Sequence, residues 1–196
     1  IVVFTQHSVT TQFDAADRQI APSLAALGKL AAEGVQVIAT YPNNDAGGRR
    51  IIAALERFAE GAPPGVQLHR SVGRHIYHGL LALALGPDVA VVCAGNSSSG
   101  IKETPAFGCP AVNIGSRQDG RLRAENVIDA GYDADEIYRS IMEALQDSAL
   151  RARCRAVDNP YGVGEAGRKI SHVLATVDLD DRLLRKRMTL RGEERD

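Results

Sequence analysis

The chain concentrates its chemistry in Gly95-Asn96-Ser97-Ser98-Ser99-Gly100-Ile101-Lys102-Glu103. An apolar, strand-like run, Asp88-Val89-Ala90-Val91-Val92-Cys93, precedes it, and a short helix-like segment closed by Pro110 follows. Small residues at a strand-to-helix turn let backbone N–H groups face outward, a geometry that suits a phosphate. Ser97, Ser98 and Ser99 add hydroxyl donors beside Gly100. Glu103 is expected one helical turn further on, where its carboxylate could take both hydroxyls of a ribose. The segment therefore reads as a cradle for a nucleoside diphosphate. A serine-glycine loop that only caps a helix accounts for the same residues.

Other strand ends carry chemistry of the same kind. Thr5-Gln6-His7-Ser8 follows the first strand, so His7 could contact a phosphate or serve acid–base chemistry in a cleft. Tyr41-Pro42-Asn43-Asn44-Asp45-Ala46-Gly47-Gly48 follows the second; it is a well-made turn and helix cap, in which Asn43 could also reach a sugar or phosphate. Arg70-Ser71-Val72-Gly73 follows the third, where the backbone of Ser71 and Val72 could read the edge of a base. After the fifth, Arg117 could clamp a diphosphate with its planar fork, and Arg117, Arg121 and Arg123 make a basic cluster. Each of these loops also has a plain structural reading. His69, His75 and His78 lack the acidic or cysteine partners of a zinc set; no metal site is expected, and His75 and His78 fit the surface of a helix.

The elements that would present these loops alternate. Strands are expected at 1–5, 35–39, 66–69, 89–93, 111–114 and 126–129. Helical spacing joins Ile20, Leu24, Leu27 and Leu30, then Ile51, Ile52, Leu55 and Phe58, then residues 74–85, then Ile137, Ile141 and Leu145. This alternation predicts an α/β fold, a doubly wound parallel sheet covered on both faces, with ligands beyond the C-terminal strand ends. Asn159-Pro160-Tyr161-Gly162-Val163-Gly164 should turn the chain into a final helix near residues 165–174. A domain over 1–178 and a basic tail over 179–196 are expected. The 196 residues suffice for one such core, and a net charge of −1 gives no reason to expect a nucleic-acid partner. Three scattered cysteines form neither a disulfide framework nor a cysteine-based zinc site and suit a reducing cytoplasm. No run is long and apolar enough to span a membrane, and no signal peptide is visible. The opening strand, Ile1-Val2-Val3-Phe4, without an initiator methionine, suggests a fragment.

In series, these segments resemble the C-terminal half of the UDP-N-acetylglucosamine 2-epimerases, most closely the hydrolysing branch that makes N-acetylmannosamine for sialic acid synthesis. The motifs are Thr5-Gln6-His7-Ser8-Val9-Thr10, Tyr41-Pro42-Asn43-Asn44-Asp45-Ala46-Gly47, Gly95-Asn96-Ser97-Ser98-Ser99-Gly100, Arg117-Gln118-Asp119-Gly120-Arg121, Glu125-Asn126-Val127 and Asn159-Pro160-Tyr161-Gly162. Ser8 stands where the family usually has proline, and the run 81–95 is longer than usual.

The resemblance implies a GT-B architecture, two Rossmann-like halves facing across a cleft, of which this chain is the UDP-holding half. It implies that Ser97 and Ser98 bind the diphosphate with Ser99 and Gly100 beside them, and that Glu103 holds the ribose. It further implies that Arg117 faces the nucleotide, that His7 and Asn43 line the cleft, and that Ser71 and Val72 lie by the uracil. No cofactor is implied; the expected partners are UDP or UDP-N-acetylglucosamine, the missing N-terminal domain and a second copy in a homodimer. Because the family's proton-moving acids lie on the other half, the chain alone should bind nucleotide without catalysis. A freestanding UDP-sugar-binding regulatory domain, or the donor half of a GT-B glycosyltransferase, would use the same diphosphate logic.

Overall fold

The computed structural model describes residues 1–162 and 164–185; Val163 and residues 186–196, most of the expected basic tail, lie outside the described residues. The chain divides into compact units Ile1–Tyr161 and Gly162–Asp196, so the boundary expected after residue 178 falls inside the second unit.

Six strands form one sheet in the first unit: β1 (Val2–Thr5), β2 (Val37–Thr40), β3 (Val66–His69), β4 (Val92–Gly95), β5 (Ala111–Ile114) and β6 (Val127–Ala130). Their order is β3-β2-β1-β4-β5-β6, and every pairing is parallel. Parallel strands need crossovers, and helices lie in the first four: α1 (Ala16–Ala32), α2 (Gly48–Gly61), α3 (Gly73–Ala82) and the short α4 (Ser99–Lys102); the fifth, from β5 to β6, carries only a 3-10 turn at Ser116–Gln118, and α5 (Ala134–Gln146) follows β6. Helix α6 (Ser148–Arg155) closes this unit, and α7 (Ala166–Thr176) and α8 (Asp181–Leu184) belong to the second.

Alternation along the strands separates two cores. Val2, Phe4, Val92, Ala94, Val112 and Ile114 join Ile20, Leu27, Ile51, Leu55, Ile137 and Ile141 on one face. Val3, Cys93 and Ala111 join Leu81, Ala84 and Cys109 on the other. The central strands β1, β4 and β5 are therefore buried almost throughout and mostly apolar, whereas edge strand β3 alternates half-buried and exposed residues. The fourth strand starts at Val92 rather than 89, because Ala90 spends its carbonyl on the Ile1 ammonium at 2.7 Å and ladder pairing begins only when the Val92 N–H reaches the Ile1 carbonyl.

One larger difference concerns the serine turn. The helix after it is a single turn, α4, and a 3-10 turn at Thr104–Phe107 follows directly. Glu103 is thus the residue that ends α4, not one inside a longer helix. Pro105 and the left-handed Gly108 break any continuation.

Candidate functional site

The strand order reverses between β1 and β4, the place where open parallel sheets leave a crevice at their C-terminal edge. Thr5 pairs with Gly95 at this point. Gly95 has φ 120°, and a Cβ there would overlap the Thr5 carbonyl, so only glycine lets the two strand ends approach so closely. The His7 loop and the serine turn leave the sheet side by side as a result.

His7 is fixed from several directions. Asn96 receives the His7 N–H at 2.6 Å and returns its side-chain N–H to the His7 carbonyl at 2.8 Å. Beneath it, buried Gln6 donates to the Gln19 carbonyl and accepts from Ser23, which ties the loop to α1. Ser8 donates its hydroxyl to the Ala46 carbonyl. The Asn43 N–H donates to His7 Nδ1 at 2.9 Å, so the neutral ring carries its proton on Nε2. Burial, reinforced by the Arg117 guanidinium and opposed by Asp45, lowers the His7 pKa to about 4. At neutral pH His7 is an uncharged hydrogen-bond donor.

An open cleft of about 330 Å³ gathers His7, Ser71, Val72, Ser97, Ser99 and Glu103, together with Thr5, Thr40, Tyr41, Arg70, Arg74 and Tyr77. Six of the ten residues singled out from sequence therefore share one wall-to-wall site. In the serine turn, the N–H groups of Ser99, Gly100, Ile101 and Lys102 are taken by Ser97 Oγ, Ser97 O and, for the last two, Ser98 O. Among the described residues, the N–H groups of Ser97 and Ser98 and the Ser98 hydroxyl are left without an internal partner. A one-turn helix has little dipole, so an anion placed here would meet these donors rather than the field of a helix axis.

The other four candidates lie around the cleft. Asn43 touches it through its backbone bond to His7, while its side chain meets Asp45 at 2.7 Å beside a separate cavity of about 470 Å³ before α2. That larger cavity holds none of the other candidates. Gly100 packs beneath the turn against Cys93, and Ser98 sits on the turn itself. Arg117 reaches the Asn96 carbonyl at 3.2 Å and Asp45 at 3.6 Å and is not among the residues that line the cleft. The expected arginine cluster does not act as a group: Arg123 is bound by Asp129 at 3.1 Å and Asp119 at 3.7 Å.

Four further side chains complete the site. Buried Asn96 latches His7, and buried Gln118 donates to the Asn96 carbonyl at 2.7 Å. Tyr77 Oη lies 2.7 Å from Ser99 Oγ and 3.4 Å from Cys93 Sγ, and burial raises its pKa far above the usual phenol value. His78, expected on a bland helix surface, instead meets Glu103 at 2.7 Å. His75 is exposed as expected. Nothing in the sequence marks Tyr77 or His78, because the partners are 22 and 25 residues away. No cluster of metal-ligating side chains exists among the described residues, and no helix there is long and apolar enough to cross a membrane.

A six-stranded parallel sheet of this order, with a serine turn and a histidine loop meeting at its crossover, defines a Rossmann-like α/β protein. The family model for UDP-N-acetylglucosamine 2-epimerase matches residues 1–175. The chain belongs to that family. It is 33% identical over 155 residues to a UDP-N,N'-diacetylbacillosamine 2-epimerase (hydrolyzing) of Legionella pneumophila, covering 79% of this chain and 38% of the relative. It is 31% identical to a GDP/UDP-N,N'-diacetylbacillosamine 2-epimerase (hydrolyzing) of Campylobacter jejuni, over 72% of this chain and 35% of that protein. A UDP-N-acetylglucosamine 2-epimerase of Neisseria meningitidis is 29% identical over 70% of the chain and 33% of its own length. The chain thus spans about a third of the length of these curated relatives. Among solved structures, the Methanocaldococcus jannaschii UDP-GlcNAc 2-epimerase in complex with UDP-GlcNAc and UDP superposes with a TM-score of 0.66 at 12% identity, over 89% of this chain and 44% of that one. The Staphylococcus aureus MnaA–UDP structure gives 0.62 at 15% identity, over 88% and 44%. These two likenesses establish the fold.

Proposed function

We propose that this chain is the UDP-binding half of a hydrolysing 2-epimerase of the UDP-N-acetylglucosamine type, one half of a GT-B pair. The observation that carries the reading is the meeting of His7, Ser97, Ser99 and Glu103 in one cleft at the sheet crossover. The serine turn would hold the diphosphate, Glu103 the ribose, and Ser71 and Val72 the base. Arg117, held by the Asn96 carbonyl and Asp45, would add positive potential to the diphosphate rather than clamp it directly. The hydrolysing assignment draws support from the names of the Legionella and Campylobacter relatives. Their amino sugars, and the GDP/UDP alternative, make diacetylbacillosamine nucleotides candidate substrates alongside UDP-N-acetylglucosamine.

In the complete enzyme, a base removes the proton at sugar carbon 2, the nucleotide leaves by anti elimination to give a glycal, and water adds to release the free 2-epimer. Leaving-group departure concentrates negative charge on the diphosphate. His7 Nε2–H, uncharged and pre-oriented by Asn43 and Asn96, is suited to stabilise that charge by donation. A group with pKa about 4 is a weak base near neutrality, so the acids that move the sugar proton are assigned to the other half. The pair is expected to work as a cytoplasmic homodimer.

Calorimetry on the 196-residue chain tests this reading. UDP should bind with a Kd of about 0.1–1 mM, since half a cleft encloses its ligand poorly, and free amino sugar should not form. Glu103→Ala should weaken UDP by about 1.5–3 kcal/mol and leave inorganic diphosphate little changed. Absence of heat with millimolar UDP and GDP, or equal losses for UDP and diphosphate, would overturn the assignment.

A further inference from the structure

Two consecutive residues of α3 meet the two ends of α4. Tyr77 meets Ser99 at its start and His78 meets Glu103 at its end. Glu103 has its backbone already fixed, with its N–H on the Ser99 carbonyl at 2.9 Å and the 3-10 turn following at once. Its side chain is the remaining freedom. His78 Nε2 engages Oε2 at 2.7 Å, and among the described residues Oε1 has no partner. The imidazole itself is held by Phe107, whose ring lies 5.1 Å away at 43°. Phe107 belongs to the 3-10 turn that begins directly after Glu103.

We infer that His78 is a positioning residue that sets the Glu103 carboxylate for the hydroxyls of the ligand's ribose. The inference rests on the reading of Glu103 given above. An unheld glutamate would lose rotamer freedom when a diol arrived, and that loss would weaken binding. With His78 in place the freedom is lost before binding, and Oε1 stays presented to the cleft. Tyr77 does the same for Ser99, so α3 aligns the ribose and phosphate contacts together. The segment Arg70–Gly73, which leads into α3, lines the same cleft. One helix therefore carries the base-side wall and braces the ribose-side carboxylate.

The test compares UDP with 2′,3′-dideoxy-UDP by calorimetry on the full chain, in the parent and in His78→Ala, His78→Gln and Glu103→Ala. The ratio of the two affinities isolates recognition of the hydroxyls. His78→Ala should reduce that ratio about two- to tenfold, the cost of immobilising one long side chain at binding, while dideoxy-UDP affinity stays near the parent value. His78→Gln should restore most of the ratio, because its amide can donate from the position of Nε2. Equal losses for both nucleotides in His78→Ala would reduce His78 to a structural role and overturn the inference. A collapsed ratio in Glu103→Ala with an unchanged ratio in His78→Ala would overturn the inference and leave the Glu103 reading standing. An unchanged ratio in Glu103→Ala would overturn both.

Discussion

His7 and Asn96 exchange two hydrogen bonds, backbone N–H to Oδ1 at 2.6 Å and Nδ2–H to backbone carbonyl at 2.8 Å, across 89 residues of sequence. The pair stitches the loop after β1 to the turn after β4, where the sheet reverses direction. Asn96 is also the acceptor, through its own carbonyl, for Arg117 and Gln118. One buried amide thus registers three loops against one another.

Asn96→Ala should therefore cost stability out of proportion to its size. The substitution removes two hydrogen bonds at a residue only 1% exposed and leaves the His7 N–H in a site with little water. A loss of about 2–3 kcal/mol is expected, which lowers the melting temperature by roughly 5–10 °C for a chain of this length. Thermal and urea denaturation check it. A change below half a kilocalorie would mean that the loops are registered by the sheet alone.

Stability should fall with acid because of His7. Its folded pKa is about 4 and lies below the unfolded value of about 6.5. The contribution of the neutral ring is complete above about 6.5. As pH falls from there towards 4 the unfolded state takes up the proton first, and stability declines through that window. NMR titration of the His7 ring should give a midpoint near 4, and His7→Asn should flatten the decline. A midpoint near 6.5 would place the ring in solvent.

Gly95→Ala should be among the most damaging single changes in the chain. The site has φ 120°, where side chains are rarely tolerated, and the added methyl would overlap the Thr5 carbonyl. The β1–β4 pairing would have to open at the crossover. Losses above about 4 kcal/mol are expected, read as insolubility or as a collapsed urea midpoint. In contrast Gly120→Ala, at a φ of 76° with open space around it, should cost about 1 kcal/mol from backbone strain alone. Similar losses at both positions would remove the close-approach argument.

How much was legible in the sequence follows from the range of each interaction. Strands such as Val66–His69 and Ala111–Ile114 carry their own bounds, because apolar runs between turn residues need no distant partner to be recognised. The meeting of His7 with Ser97 and Ser99 was legible through chain order, since strand ends converge in a doubly wound sheet. The His78–Glu103 contact was not legible: on α3 alone, spacing marks His78 as surface, and only packing of α3 over the serine turn reveals its partner. The length of the helix after the serine turn was misjudged for a related reason, although Glu103 does lie one turn along it. A glycine and serine stretch predicts a helix start, but its end at Lys102 depends on Pro105 and Gly108 acting together with the site's packing.

The role of His7 in turnover separates donor from base. In a protein carrying both halves, His7→Ala should lower kcat about 100- to 1000-fold, the size seen when one donor to developing negative charge is removed. Its effect on KM should be smaller, because charge on the diphosphate grows as the bond to the sugar breaks. His7→Gln should recover part of that loss, since glutamine can donate from a similar position but cannot accept and release a proton as imidazole does. The pH profile of the parent should show no limb assignable to His7 between about 5 and 8, given its pKa of about 4. The measurement is steady-state release of free amino sugar and nucleotide across that range for all three proteins. A glutamine variant as inactive as alanine, together with a limb that disappears on substitution, would make His7 a proton-transfer group and overturn the donor role.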